Sequence, residues 1–291
     1  MKKQLLLLTL LWCSISQVQA GGPWPQAAGN GFFKLSEWWI IFDQHFTDAG
    51  ELDPNVTTGI FNTSFYGEYG FTDRLTGIVN APLFSRNYMN NLVSNTTGEV
   101  IQAGEAINSL GDIDISLKYG LKAPGSRFPL AVTLTLGLPT GQTGGGTQGN
   151  LQTGDGEFNQ MLQIDGGTSF LIGGKTNSYV SGYVGFNHRT QGFSEEFRYG
   201  LEWGLGLMES KLWLIGRLNT VESFKNGDTA ETVNSTSIFA NNTEFSSVAL
   251  EANYYLSDRW GVSASVAGAF RGEIIAAAPS YSLGIFYDLR K

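Results

Sequence analysis

The chain has 291 residues, of which 13% are aromatic and only 15% charged, and its formal net charge is −8. Such acidity gives no reason to expect a nucleic-acid partner, and a single cysteine excludes an internal disulfide framework. From Gly21 onward, no apolar run approaches the eighteen or so residues that a membrane-spanning helix needs.

The first twenty residues, 1–20, have the features of a secretory signal peptide. Lys2 and Lys3 form a positive start, and the apolar run Leu5–Cys13 is too short to cross a bilayer. Val18-Gln19-Ala20 has the small residues of a cleavage site, so we expect an exported chain that loses its only cysteine with the leader.

The rest of the chain is dominated by alternation of apolar and polar residues, which predicts strands. Twelve segments follow this pattern: Phe32–Phe46, Thr58–Gly70, Leu75–Arg86, Asp112–Leu121, Leu130–Leu138, Glu157–Phe170, Ser178–His188, Phe197–Leu207, Leu212–Glu222, Phe245–Leu256, Gly261–Phe270 and Ser280–Leu289. The alternation is imperfect around Glu37-Trp38-Trp39, where we expect a β-bulge, and Pro82 interrupts the third segment.

The hairpin within Gly111–Gly141 shows the pattern most clearly. Each of its two strands has about ten residues, which is the length that crosses a bilayer when a strand is tilted. One face is apolar without interruption while the other carries charge, the reverse of a soluble sandwich. We therefore expect lipid outside and a polar lumen inside.

The connections between the twelve segments alternate between short and long. Short turns on one rim and long loops on the other are typical of bacterial outer-membrane barrels, in which the short turns are periplasmic. Because lipid offers no hydrogen-bond partners, the first and last strands must pair. The sequence thus predicts an all-β fold, a closed antiparallel transmembrane β-barrel of about twelve strands over residues 31–291, in the bacterial outer membrane.

Three further expectations concern the ends of the strands and the loops. The Gly/Pro-rich stretch 21–30 is expected either in the periplasm or as a plug in the lumen, and Glu99–Leu110 is expected to form a short helix in an outer loop. Aromatic girdles are expected at both membrane interfaces. Their candidates are Tyr119, Trp213, Tyr255, Trp260 and Tyr287 on the periplasmic side and Phe197, Tyr199, Phe270 and Tyr281 on the outer side.

Three motifs resemble one family of outer-membrane β-barrels. They are the GDIDISLKY strand from Gly111 to Tyr119, the strand end Gly137–Gly141 (GLPTG), and the turn Tyr69–Leu75 (YGFTDRL). The family comprises transporters associated with the meta-pathway of phenol degradation. The resemblance implies uptake of small compounds, aromatic or hydrophobic ones among them, and says little about the particular solute.

Alternation places ten charged residues toward the lumen. They are Lys34, Glu68, Asp112, Asp114, Lys118, Arg198, Glu202, Arg217, Glu251 and Asp288. They could bind and guide a small-molecule solute, or they could pair across a narrow barrel, stiffen the wall and fill it. No cofactor or metal site is expected, because the mature chain lacks cysteine and its two histidines are far apart in sequence.

Two other functions remain open from the sequence. His188-Arg189-Thr190-Gln191-Gly192 resembles the H-x-S-N-G nucleophile motif of outer-membrane phospholipase A, but Thr and Gln replace Ser and Asn. The barrel could also be structural or adhesive and carry no solute. The expected partners are a small solute, outer-membrane lipid and the machinery that inserts barrels. The oligomeric state is left open.

Overall fold

The computed structural model describes residues 22–228 and 239–290, so the predicted signal peptide over residues 1–20 lies outside the described residues. Sixteen strands are found there: β1 Gly31–Phe46, β2 Leu52–Gly70, β3 Leu75–Met89, β4 Leu92–Val93, β5 Val100–Gln102, β6 Glu105–Ser109, β7 Ile113–Gly120, β8 Leu130–Leu138, β9 Asn159–Ile172, β10 Thr176–His188, β11 Glu196–Leu207, β12 Leu212–Ser223, β13 Glu244–Tyr255, β14 Trp260–Glu273, β15 Ile275–Ala276 and β16 Ser280–Leu289. Within the described ranges, no helix is long and apolar enough to cross a membrane.

Twelve of these strands form a closed antiparallel barrel, as the sequence predicts. Each long strand pairs with its neighbours along the chain, and β1 closes the sheet by pairing with both β2 and β16. The four remaining strands are short: β4 pairs with β5, β6 extends the pairing of β3, and β15 pairs with the outer end of β1. Closure leaves no edge of the membrane-spanning sheet unpaired, which lipid requires.

Two local expectations were wrong. The stretch Glu99–Leu110 contains the strands β5 and β6 rather than a helix. The reason is that Glu105–Ser109 pairs with the outer end of β3 and so continues the sheet above the membrane. The expected bulge at Glu37 is absent as well, since the register of β1 with β2 is regular up to Phe42 and shifts only between Phe42 and Gln44. Glu37 stands on the outer face and accepts the Thr63 hydroxyl at 2.5 Å.

Pro82 lies at a bulge between β2 and β3. The pairing shifts there from Thr63–Phe84 to Ser64–Pro82, which leaves Leu83 as the extra residue. A bulge is where a proline is tolerated inside a sheet, because the residue need not donate to the ladder.

The two faces of the wall differ sharply in chemistry. Large apolar side chains are exposed on the outside, such as Leu201 (59%), Leu250 (67%) and Leu283 (56%), and they form a belt that lipid would cover. Many of the inward side chains between them are polar or aromatic, and a few, such as Ile60 and Ile215, are aliphatic; Glu68 is fully buried and Lys118 is 3% exposed. A one-residue slip of register would exchange the two sets, so this contrast holds the register.

Two of the expected girdle aromatics lie inside the barrel. Trp213 is only 4% exposed and packs in a cluster with Tyr179 and Ile215, and Tyr255 packs against the same cluster. Trp260, in contrast, is 52% exposed on the outer wall. Proximity to a strand end therefore did not distinguish girdle aromatics from lumen aromatics, whereas the parity of each position along its strand does.

The segment Gly22–Asn30 contacts the inside of the barrel near its short-turn rim. The Trp24 ring lies edge-on to the Tyr179 ring with 5.6 Å between centroids, and the Gln26 side chain donates to Glu68 at 3.0 Å. The Ala28 backbone N–H donates to Asp73 in the β2–β3 turn. These contacts bring the chain through the lumen before it enters β1.

Candidate solute pathway in the barrel lumen

A ladder of alternating charges crosses the middle of the lumen. Lys34 contacts Glu251 at 3.2 Å, and Glu251 also contacts Arg217 at 2.6 Å. Arg217 in turn contacts Glu202 at 2.5 Å, and Glu202 accepts the Tyr179 hydroxyl at 2.6 Å. Two cations and two anions compensate each other, so the ladder carries no net charge.

Strand order explains how the ladder forms. Glu202 on β11 and Arg217 on β12 are directly opposite each other, and β13 brings Glu251 to the next level of the same face. Lys34 lies on β1, beyond β14 and β16, and its side chain runs along the wall past Gly284. A Cβ at Gly284 would lie 3.0 Å from the Lys34 Cε, so the absence of a side chain there leaves the lysine its path.

Two cavities inside the barrel meet at this ladder. One, of about 270 Å³, has Arg217, Glu251 and Lys34 along one side and aromatic side chains along the rest. The other, of about 200 Å³, is lined by polar side chains and shares Arg217 with the first. Residues of the ladder therefore line both cavities.

Two predicted lumen acids lie at the short-turn end and have local partners. Glu68 accepts hydrogen bonds from Gln26 of the N-terminal segment and from the Tyr66 hydroxyl. Asp288 accepts the Tyr255 hydroxyl at 2.9 Å and pairs with Arg290. Both acids hold neighbouring side chains in place at this rim.

Two other predicted residues face inward on β7. Asp114 is opposite Asn80 of β3 and accepts a hydrogen bond from its side chain. Lys118 is opposite Thr133 of β8, whose hydroxyl donates to Asp165 of β9 at 3.2 Å. Neither residue takes part in the central ladder.

The loop between β8 and β9, residues 139–158, folds into the outer mouth of the barrel. Gln152 is 1% exposed, and its backbone carbonyl accepts a hydrogen bond from the inward-facing Asn87 of β3. The predicted lumen residue Asp112 fixes the two stems of the loop, accepting the Gly141 N–H at 2.8 Å and the Asp155 N–H at 3.0 Å. Asp112 thus acts on the loop and not on the central ladder.

Arg189 fastens the end of this inward loop, and the sequence did not indicate this role. Its guanidinium contacts Glu157 at 2.6 Å, Glu196 at 2.8 Å and Asp155 at 3.1 Å, while only 5% of its side chain is exposed. The predicted residue Arg198 joins the group through Glu196 at 2.5 Å. The sequence signal for this role is the set of acidic residues near Arg189: Asp155 and Glu157 at the end of the loop, and Glu196 at the start of β11.

Burial shifts the pKa values of two carboxyl groups in this outer cluster upward. Burial raises the pKa of Asp155 to about 6; the Arg189 guanidinium opposes the increase and the Asp112 carboxylate adds to it. Burial also raises the pKa of Glu157, again against the attraction of Arg189.

The residues of the motif that resembles a lipase are engaged in other contacts. His188 is on the outer face of the wall and its Nδ1 lies 2.9 Å from Glu195. The Thr190 hydroxyl accepts the backbone N–H of Phe158 at 2.7 Å, which ties the inward loop to the loop that follows β10. Over the described residues, no group of three or more His, Cys, Asp and Glu side chains is arranged to hold a metal ion.

Solved structures with the same architecture are outer-membrane proteins. The chain is similar to the COG4313 outer membrane channel from Pseudomonas putida F1, with a TM-score of 0.56 and 14% identity over 94% of this chain and 99% of that one. It is also similar to the translocator domain of the autotransporter NalP from Neisseria meningitidis, with a TM-score of 0.51 and 11% identity over 90% of this chain and 89% of that one.

These similarities define the fold rather than a particular activity. No protein-family model matches the sequence, and no curated protein matches it either. A closed twelve-stranded barrel with an apolar outer belt is an integral protein of the bacterial outer membrane.

Proposed function

We propose that this protein is an outer-membrane channel for small solutes. The observation that carries the proposal is the internal space itself: two cavities of about 270 and 200 Å³ lie inside the wall and share Arg217 in their linings. A solute that crosses between them must pass the ladder of ion pairs. Because each charge of the ladder already has a partner, the ladder presents no net charge to a solute of either sign.

The aromatic lining of the larger cavity supports small aromatic or hydrophobic compounds as the solute class. Phe32, Tyr66, Tyr179, Trp213 and Phe286 all contribute to its wall. This agrees with the resemblance to transporters associated with phenol degradation, which implies the same class of compound. Aromatic walls provide apolar contact area and ring-to-ring contacts of about 0.5–1.5 kcal/mol each.

Both ends of the proposed path are narrowed by chain segments. The segment 22–30 crosses the short-turn end and is held by Trp24 and Gln26, so we propose that it acts as a plug. The inward loop 139–158 covers the other end and is held by Arg189. Passage of a solute requires one of these segments to shift, as lids and loops do on the microsecond to millisecond scale.

The test is uptake into cells whose outer membrane contains the protein. Cells that express the wild type should accumulate radiolabelled p-cresol faster than cells that carry an empty vector. Arg217→Met should alter the rate, because it leaves Glu202 without a cation and Glu251 with Lys34 alone in the path. Lys122→Met, in the exposed turn between β7 and β8, is the matched control and should leave the rate unchanged. Equal accumulation with and without the protein would overturn the proposal.

The alternatives weighed from the sequence predict other outcomes. A lipid hydrolase would release fatty acid from phospholipid micelles and lose that activity in His188→Ala, whereas we expect no release above background. A structural or adhesive barrel would show neither hydrolysis nor uptake.

A further inference from the structure

Each of the five short turns at one rim of the barrel carries an exposed cation. The turns span residues 71–74, 121–129, 173–175, 208–211 and 256–259, and only three of them contain an acid. One exposed cation from each turn defines a surface that we call the basic rim: Arg74, Arg127, Lys175, Lys211 and Arg259. Short turns are the periplasmic ones in barrels of this class, so the basic rim faces the periplasm.

The opposite rim has the reverse charge. Its connections contain nine aspartates and glutamates but only two cations, Arg189 and Lys225, and both of these cations are in ion pairs with acids. Over residues 22–228 and 239–290, no ion pair involves a member of the basic rim. In a chain with a formal net charge of −8, the basic rim is therefore a local excess of positive charge that the protein does not pair with its own acids.

Two members of the basic rim lie against exposed aromatic rings of the wall. The Arg259 guanidinium donates to the Tyr287 hydroxyl at 3.3 Å, and the Tyr287 and Trp260 ring centroids are 4.9 Å apart. The Arg127 guanidinium carbon lies 5.4 Å from the ring centroid of the exposed Phe128. Aromatic side chains at the ends of a membrane-spanning wall lie at the level of the lipid headgroups. The two guanidinium groups thus lie at the same depth as the headgroup phosphates.

Large exposed apolar side chains accompany the other three cations as well. Phe71, Ile172 and Met208 each stand three residues before a member of the basic rim. A bilayer suits both kinds of side chain, because the apolar ones reach toward the acyl chains while the cations stay among the headgroups. A soluble acidic protein would match the cations only. Closure of the sheet distributes the five turns around the whole rim, so the surface is a ring.

We propose that the basic rim binds the phosphate groups of anionic phospholipids in the periplasmic leaflet of the outer membrane. Arginine matches phosphate with two parallel N–H donors, and lysine matches it as a point charge. Each lysine or arginine near an anionic membrane surface strengthens association by about fivefold. The interaction holds the short-turn end of the barrel at the headgroup level, and it is independent of any solute in the lumen.

The test compares folding of the full chain into two kinds of lipid vesicle. One kind contains phosphatidylcholine alone, and the other contains an equal mixture of phosphatidylcholine and phosphatidylglycerol. Urea titration read by the boiling-shift gel gives the folding constant in each. The ratio of the two constants measures the preference of the folded barrel for the anionic lipid.

The variant Arg127→Gln with Lys175→Gln removes two cations from the basic rim. We expect it to lower the preference by about fivefold to 25-fold relative to the wild type. Arg271→Gln with Lys225→Gln is the matched control, because it changes the net charge equally but removes cations that are paired with acids at the outer rim. The control should keep the wild-type preference. Salt that shortens the Debye length to about 3 Å should abolish the difference between the two variants.

A second measurement does not depend on unfolding. Phosphatidylglycerol that remains bound to the folded protein in neutral detergent is counted by mass spectrometry, and it should decrease in Arg127→Gln with Lys175→Gln but not in the control. Equal preference and equal lipid retention in the two variants would overturn the proposal, and that is the result expected if the basic rim served a soluble acidic protein.

Discussion

Replacement of Leu201 by Arg tests the assignment of the two faces of the wall. Leu201 is the sixth of the twelve residues of β11, and its side chain is 59% exposed on the apolar belt. An Arg near the bilayer midplane costs about 2–4 kcal/mol in the free energy of folding. That cost lowers the ratio of folded to unfolded barrel by roughly 30-fold to 900-fold.

The adjacent residue provides the matched control. Glu202 faces inward, and Glu202→Gln keeps an acceptor for the Tyr179 hydroxyl while Arg217 retains Glu251. We expect it to lower the free energy of unfolding by only about 1 kcal/mol. Urea titration in lipid vesicles, read by the boiling-shift gel, measures both variants. If Leu201→Arg folds normally while Glu202→Gln unfolds, the reasoning about inside and outside is refuted.

Three further perturbations test the two ends of the lumen. Arg189→Met leaves the buried Asp155 and Glu157 carboxylates without a cation and should cost about 3–5 kcal/mol in urea titration, whereas the half-exposed Arg271→Met should cost about 0–1 kcal/mol; equal costs would contradict the burial argument. The pKa of Asp155 is raised to about 6 in the folded protein, so protonation of this carboxylate stabilises the folded loop. This stabilisation is complete below the ordinary pKa of an aspartate and is lost as the pH rises through about 6. The protection factors of the amides in residues 139–158, which are corrected for the intrinsic pH dependence of exchange, should therefore be higher at pH 5 than at pH 7, and Asp155→Asn should remove the difference; lower protection at pH 5 would reverse the sign. Trp24→Ala removes an aromatic contact of the proposed plug and should increase single-channel conductance, and an unchanged conductance would count against the plug.

The strands could be predicted because a bilayer requires a regular pattern of apolar and polar residues along each strand. Lipid on one side and a polar lumen on the other force strict alternation, and Leu130–Leu138 is found with the predicted bounds. The pattern fails above the membrane, where both faces meet water. For that reason β2 begins at Leu52 and not at Thr58, and Glu105–Ser109 is a strand that the sequence did not reveal.

The partners within the lumen could not be predicted in the same way. Alternation places Lys34 and Glu251 on the inner face, but their contact joins residues 217 positions apart and depends on closure of the barrel. Arg189 comes from a strand end and meets acids of a loop that only the folded chain brings inward. Trp213 was assigned to a girdle because its sequence position is near a turn, although its parity already places it inside.

Single-channel recording tests the central claim most directly. Purified protein is added to a planar lipid bilayer in which the ionic current is measured at fixed voltage, with Leu201→Arg protein as the insertion-defective control. A lumen that conducts gives discrete openings with wild-type protein, and p-cresol reduces the current through them. Insertion of folded protein with no openings at any voltage would contradict the account of this barrel as a channel.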